Sequence, residues 1–465
     1  MYKAYITILT NVRKHPNADR LLLADVFGNT VCVSTDYTEG QLGVYFPTDG
    51  QLSIEFAEKN NLVRKKDDAG NNIGGYMDPD KRNVTAIRLR GEKSDGLFLP
   101  ISALNYCYAH GDASIELRVG DVIDGLVNGR EICCKYIPRS NSSNRAHQSV
   151  GNKTRKKKAA IAPLFKEHAD TEQLAYNLSA FKPGDQIEIT LKMHGTSQRT
   201  GYLPVLKGYK RTLWDRLRRR EGTPIYDYGY VSGTRRVVLE NYEGGFYGDN
   251  EFREHHSKNF EGKLWKGETV YYEVVGFTTS GAPIMSDASN KKLNDKAFIK
   301  QYGETTRFSY GCEPIVSIDC DDLQSDIYVY RMTMTNPDGE VVEYTPDFMR
   351  YRCEQMAVKT VPVFWRGIIP HAEGQVSDED GKLDMHSIEA GEWIKDLAEI
   401  FYDGPDPVGK THVREGVVVR IINRPKFCAY KHKNFSFKVL SNIAVADAEA
   451  SGATEGMSED MLAEM

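Results

Sequence analysis

The first 136 residues alternate short apolar runs with turn signals. YITILTNV, LLLADVF, TVCVST, GVYFP and VTAIRLRG are rich in Val, Ile, Tyr and Leu, and HPNAD, FGN, TEGQLG and PTDGQ separate them. Short strands at roughly ten-residue spacing predict a small barrel or sandwich. The polar, Gly-rich stretch VRKKDDAGNNIGGYMDPDKRN predicts a loop. From Ile161 to about Leu440 the runs lengthen and helices join them. HSIEAGEWIKDLAEIFYDG predicts an amphipathic helix with Ile388, Trp393, Leu397, Ile400 and Phe401 near one face, stopped by Gly404 and Pro405.

The most informative pattern is GDQIEITLKMHGTSQR. As a strand it places Ile187, Ile189, Leu191 and Met193 on one face, and Glu188, Thr190, Lys192 and His194 on the other. The turn Gly195-Thr196-Ser197 follows at once. A lysine at a strand end before a glycine turn is placed to meet a ligand beside backbone N–H groups. Taken alone, an exposed lysine is more often a solvated residue.

Three more segments repeat the theme of polar groups on apolar strands. ETVYYEVVGF sets Glu273 among sheet-packing residues, where a carboxylate needs a ribose hydroxyl, a metal or a cation. REGVVVRI begins with Glu415, where a metal-facing carboxylate would sit. FCAYKHKNFSFK puts Lys431 and Lys433 on one face, and two like charges side by side suggest a shared anionic target such as triphosphate. Surface salt bridges and a solvated face are the bland alternatives for each segment singly.

Charge and composition add limits. The net charge of −5 excludes a polycation but leaves local basic patches open. Positions 138–160 hold seven Lys or Arg and no acid, with almost no core-forming residues, which predicts a basic flexible linker. KGYKRTLWDRLRRR, near 210–220, is a candidate phosphate track, with a solvated helix face as the equal alternative. Positions 447–465 hold six acids and no base, so 441–465 is expected to be an acidic, disordered tail. The cysteines show no C-x-x-C or His spacing of a zinc site, and reduced thiols are expected. No run approaches the roughly 18–20 apolar residues of a membrane span. The amino terminus lacks signal-peptide features, so a cytoplasmic protein is expected.

In their order, KMHG at 192–195, SGTRR at 232–236, YYEVVGF at 271–277, IYVYRM at 327–332, REGVVVR at 414–420 and KHK at 431–433 resemble the motifs of the covalent nucleotidyltransferase superfamily of polynucleotide ligases and capping enzymes. Within it, three features point to RNA ligases. His194 replaces the usual Asp, no length remains for a folded domain after KHK, and VRKHPNADRLLLADVFGNTVCV resembles oligonucleotide-binding (OB) modules. An OB module first and a nucleotidyltransferase second is similar to the bacterial and phage group first recognised in Deinococcus, which implies the cytoplasm of a bacterial or phage-infected cell.

The resemblance implies an α+β chain in which an antiparallel-sheet, ATP-grasp-like nucleotidyltransferase domain (161–440) follows an OB-like β-barrel (1–137). It implies an ATP-dependent RNA ligase joining 3′-OH and 5′-phosphate ends, a repair activity, through AMP carried on Lys192. Arg235 (or Arg236 beside it) matches the arginine near the reacting phosphate, and Glu273 the residue that accepts from ribose hydroxyls. Tyr330 matches the base-stacking aromatic, Glu415 the ligand of Mg²⁺ or Mn²⁺, and Lys431 and Lys433 the phosphate-binding cations. Gly195 and His194 fall in the ATP pocket, His194 with no role assigned. RNA or RNA/DNA ends are the implied partners, with no membrane, and the chain is taken as a monomer. A DNA ligase or capping guanylyltransferase is the nearer alternative, and a non-catalytic RNA-binding protein the remote one.

Overall fold

The computed structural model describes residues 2–108, 117–137, 160–218, 222–240, 242, 247, 250–314, 324–370 and 390–451. The chain forms two compact units. Most of the expected linker at 138–160 lies outside the described residues.

The first unit comprises Met1–Arg139, Ser289–Glu304 and Phe435–Ala446. Its main antiparallel sheet runs in the order Leu97–Pro100, Leu42–Phe46, Ala4–Ile8, Val122–Ile123. Alternation puts Ala4 and Ile6 into a core with Val44, Phe46, Leu52, Phe56, Leu104 and Ile132. Beside it, Thr10–Lys14, Leu21–Val26 and Asn29–Ser34 form a three-stranded meander. The helix Ile54–Lys59 is capped by Ser53, whose Oγ accepts from the Phe56 N–H at 3.2 Å. The expected loop over 63–83 is mostly irregular, but Lys65–Lys66 and Asn72–Gly74 pair within it.

Two later segments complete this unit. Asp295 binds Arg88 at 2.9 Å, and Lys438 binds the buried Asp95 at 2.7 Å. The cations of Arg88 and Lys93 lie 5.7 and 5.4 Å from the Phe435 ring centroid. Residues 289–304, expected in the catalytic domain, and the helix Phe435–Ser451, which runs into the expected tail, therefore depart from the sequence reading. Tertiary partners hold segments whose local sequence carries no such signal. Residues 452–465 lie outside the described residues.

The second unit is built on two mainly antiparallel sheets. One runs Glu172–Gln173, Cys428–Lys433, Gly416–Ile421, Gln186–Leu191, Val363–Ile368, with only the first pairing parallel. The other runs Val238–Leu239, Thr223–Thr234, Thr196–Lys210, Glu268–Gly276, Ser325–Thr335, Val341–Glu343, and Lys359–Thr360 joins Ser325–Thr335 in parallel. The chain passes from the first sheet to the second through Lys192–Gly195. That four-residue crossing lies where Gln186–Leu191 ends and Thr196–Lys210 begins.

Ile187, Ile189, Val417, Val419 and Ile421 pack beneath the helix Ala390–Phe401. Its buried stripe is Ile394 and Ala398, flanked by Trp393, Leu397 and Phe401. Ile400, expected on that face, is 70% exposed. Ile394, Leu397, Ala398 and Phe401 already fill the i, i+3, i+4, i+7 positions, and Ile400 falls off that line. Ile388 lies outside the described residues. The seven described cysteines are free thiols. Among the described residues, no helix is long and apolar enough to cross a membrane.

Candidate active site

The crossing from sheet to sheet sets the lysine at the edge of a pocket. The alternation read from the sequence holds as far as Thr190: Ile187 and Ile189 are buried in the core, while Glu188 and Thr190 line the pocket. Beyond it, Lys192 lines the pocket together with the buried Leu191 and Met193, expected on the other face, and His194 does not line it. Lys192 leaves the strand, and its N–H donates to the Gly416 carbonyl at 3.0 Å. This bond ties the lysine backbone to the residue after Glu415. Gly416 has φ +145°, and a Cβ there would lie 2.1 Å from the His432 carbonyl oxygen, so the close approach of these strands requires glycine.

Gly195 answers to packing instead. A Cβ at Gly195 would lie 2.3 Å from the Val274 carbonyl oxygen and 2.9 Å from Glu273 Cγ. Behind the turn, Arg253 is fully buried; its guanidinium donates to Thr196 Oγ1 at 2.7 Å and to the Ser197 carbonyl at 3.2 Å.

Glu415 is the electrostatic centre. It is 3% exposed, and its Oε1 lies 2.8 Å from Lys192 Nζ and 3.4 Å from Lys433 Nζ. Burial alone would raise its carboxyl, but the cations of Lys192 and Lys433 outweigh that and hold it well below the usual carboxylate range. Its Oε2 lies 3.6 Å from His194 Nδ1 and has no hydrogen-bond partner among the described residues.

His194, for which sequence suggests no role, therefore faces the second oxygen of that carboxylate. Burial keeps its imidazole below the ordinary histidine range despite Glu415. Phe308 packs edge-on against it with centroids 4.7 Å apart. The His194 N–H donates to the buried Tyr310 hydroxyl at 2.7 Å. Tyr310 has φ +51°, a costly conformation for a bulky side chain, and its ring lies 4.7 Å from that of His412.

Of the sequence candidates, Lys192, Arg235, Glu273 and Tyr330 line the pocket, whereas His194, Glu415, Lys431 and Lys433 do not. Glu273 and Tyr330 line it from neighbouring strands of the second sheet, and Tyr330 exchanges a hydrogen bond with Ser197 at 3.0 Å. Arg235 lines it too and is paired with Asp170; Arg236 lies 3.7 Å from the same carboxylate but does not line the pocket. Lys431 sits in register with pocket-lining Val418, two residues from Ala429 and two from Lys433. Gly195 closes the turn without lining the pocket.

Sequence reasoning missed His168, Phe427, Arg350 and Arg420, all in the pocket wall. Arg350 pairs with buried Glu188 at 2.8 Å. His168 lies 5.0 Å from Tyr330 and 5.5 Å from Phe427, ring to ring. Burial, then the neighbouring guanidinium of Arg331, push it well below the usual histidine range. It arrives from an irregular segment that carries no periodicity, so no pattern could have singled it out.

The arrangement can hold an anionic ligand against Lys192 and Lys433 while Glu415 offers one oxygen to a cation. No family model matches the chain, and no curated protein matches it. Solved structures of an RNA ligase from Naegleria gruberi do resemble it. A lysine-to-methionine mutant with AMP and Mn aligns with a TM-score of 0.52 at 15% identity, covering 94% of this chain and 98% of that one. The same ligase with PPi gives 0.51 at 15% identity, covering 93% and 97%. At this identity the likeness shows that the chain shares the fold of that ligase over both units.

Proposed function

We propose that this chain is an ATP-dependent RNA ligase that joins 3′-OH and 5′-phosphate ends through AMP carried on Lys192. The observation that carries the reading is the Glu415 carboxylate, bracketed by Lys192 and Lys433 at a pocket that Glu273 and Tyr330 line. The shared fold supports it, since the similar structures are of an RNA ligase with ATP, AMP and Mn.

In the first step the Lys192 amine attacks the α-phosphorus of ATP. A P–N bond forms, the bond to the β-phosphate oxygen breaks, pyrophosphate leaves, and the amine gives up its proton. Lys192 must first part from Glu415. The buried Glu415 Oε2, with no hydrogen-bond partner among the described residues, fits a divalent ion, because Mg²⁺ is commonly held by one or two carboxylates plus phosphate oxygens and water. When bound, such an ion supplies positive charge at the phosphates and weakens the hold of Glu415 on the lysine. Lys433 and Lys431 then face the charge that builds on the leaving phosphates, where most phosphoryl-transfer catalysis lies.

Glu273 accepts from the ribose hydroxyls and Tyr330 stacks on the base, with Arg235 near the transferred phosphate. AMP next passes to a 5′-phosphate, and a 3′-OH displaces it to form the phosphodiester bond. The first unit serves as the OB-like strand-binding module, and RNA repair is the setting.

The test is incubation with α-labelled ATP and Mg²⁺ or Mn²⁺, followed by denaturing electrophoresis, with Lys192→Ala and α-labelled GTP in parallel. Label from ATP that is absent in the variant is expected. Label from GTP alone would move the protein to capping chemistry, and no label from unadenylylated protein would overturn the enzyme reading.

A further inference from the structure

The strands Thr196–Lys210 and Thr223–Thr234 form a hairpin whose far end lies well beyond the pocket. Fourteen residue steps separate Thr196, next to the nucleophile turn, from Lys210, which is roughly 45 Å of extended chain. The tip carries a one-turn helix, Leu213–Leu217. Thr212 and Asp215 close its first turn, the Thr212 N–H and hydroxyl donating to Asp215 Oδ2 at 3.0 and 2.6 Å.

What this turn presents is unusual for a solvated helix. Leu213 is 77% exposed, Trp214 69% and Leu217 76%. Lys207, Lys210, Arg211 and Arg218 are exposed around them, and the Arg218 guanidinium lies 5.6 Å from the Trp214 ring centroid. Among the described residues from 207 to 227 the acids are Asp215, engaged by Thr212, and the exposed Asp227. A solvated surface would not place three large apolar side chains outward, and a protein-docking face would not need this excess of cations. An exposed indole among cations is the surface that single-stranded nucleic acid uses: bases stack on the ring, and phosphates pair with Lys and Arg.

We infer that the hairpin tip is a second contact for RNA, remote from the reacting ends, where an unpaired base stacks on Trp214 and the flanking phosphates meet Lys210, Arg211 and Arg218. The inference rests on the RNA ligase reading for its ligand, and it adds a requirement on substrate length. An RNA flank must span the distance from Lys192 to the tip, so long substrates gain affinity there and short oligonucleotides do not. The tip leaves the reaction of Lys192 with ATP untouched.

The experiment uses the full chain and labelled 5′-phosphorylated single-stranded RNAs of about 8 and about 40 nucleotides, with Trp214→Ala, Trp214→Phe and a Lys210→Ala/Arg211→Ala/Arg218→Ala triple variant. Trp214→Ala is expected to weaken binding of the long RNA roughly 5- to 150-fold, the range for removing one ring on which a base stacks. Trp214→Phe should recover most of that. The triple variant should lower the salt dependence of binding by about two units of log–log slope, near 0.7 for each phosphate that no longer meets a cation. Binding of the short RNA and formation of lysyl-AMP should be unchanged in all of them.

Equal binding of the long RNA by wild type and Trp214→Ala would overturn the inference. So would an equal loss on the short RNA, or a Trp214-dependent affinity for anionic vesicles with none for RNA. Failure of the wild type to form lysyl-AMP would defeat the ligase reading instead, and the RNA-binding arms would still decide the tip.

Discussion

Lys192 and Glu415 meet at 2.8 Å, and the same carboxylate oxygen receives Lys433 at 3.4 Å. Two ammonium groups on one oxygen of a buried acid form an arrangement whose charge must be redistributed before the lysine can act. With the carboxylate gone, the two cations would lose the acid they share. Glu415→Gln is therefore expected to slow lysyl-AMP formation by at least about 100-fold while the fold persists. Single-turnover labelling with ATP, alongside circular dichroism, checks it. A rate within a few-fold of wild type would remove Glu415 from the centre of the site.

Tyr310 should act as a positioning residue for the nucleophile turn. Its hydroxyl receives the His194 N–H, and Tyr310→Phe leaves that donor without this partner beside the reacting lysine. The loss should be about 1–3 kcal/mol. Lysyl-AMP formation should slow with little change in the apparent affinity for ATP. A change confined to melting temperature, with ATP kinetics intact, would show the hydrogen bond to be structural only.

Gly195 permits no side chain. The Cβ of Gly195→Ala would press on the Val274 carbonyl, which belongs to a paired strand and cannot yield cheaply. Lysyl-AMP formation should fall below detection in a protein that still folds, because the strain falls on the turn that aims Lys192. Normal labelling of the variant would refute this.

Stability should decline as pH falls from about 6.5 to about 4. Burial holds His256 at about 4, with its Nε2 on Ser325 Oγ at 2.9 Å. Between those values the unfolded chain binds a proton that the folded chain refuses, so stability rises with pH across the window and is flat above it. His256 alone accounts for about 3 kcal/mol at the acid end. His168, His194 and His412 are shifted the same way by burial and add to the slope. Urea unfolding at pH 7 and pH 4.5 should show a shallower dependence for His256→Gln, and an unchanged slope would exclude the mechanism.

Glu268 and Arg352 form a buried pair at the start of the strand that carries Glu273. The Arg352 guanidinium donates to both carboxylate oxygens at 2.9 and 2.8 Å, and Tyr344 and the Trp265 N–H donate as well. Removing one member leaves a buried charge, so Glu268→Ala should cost about 3–5 kcal/mol. Chemical denaturation measures it. A loss under 1 kcal/mol would mean that water reaches the site.

Periodicity by itself predicted a polar face for Glu188, Thr190 and Lys192, because a period of two admits only two faces and one was fully apolar, although the strand ends at Leu191 and Lys192 lies one residue past it. The same alternation put Lys431 and Lys433 together, and local chemistry marked Glu273 and Glu415 as carboxylates on apolar strands. Such signals do not say which carboxylate does what. Glu268 and Glu273 share one strand, and only their tertiary partners make the first a structural ion pair and the second a pocket residue. His168, Tyr310 and Arg253 come from segments without useful pattern and gain meaning from what packs against them. The assignment of 289–304 and the helix Phe435–Ser451 to their places likewise depended on partners distant in sequence, such as Arg88 and Asp95. Local spacing fixes the face on which a side chain lies; long-range packing decides which charge, ring or carbonyl it meets there.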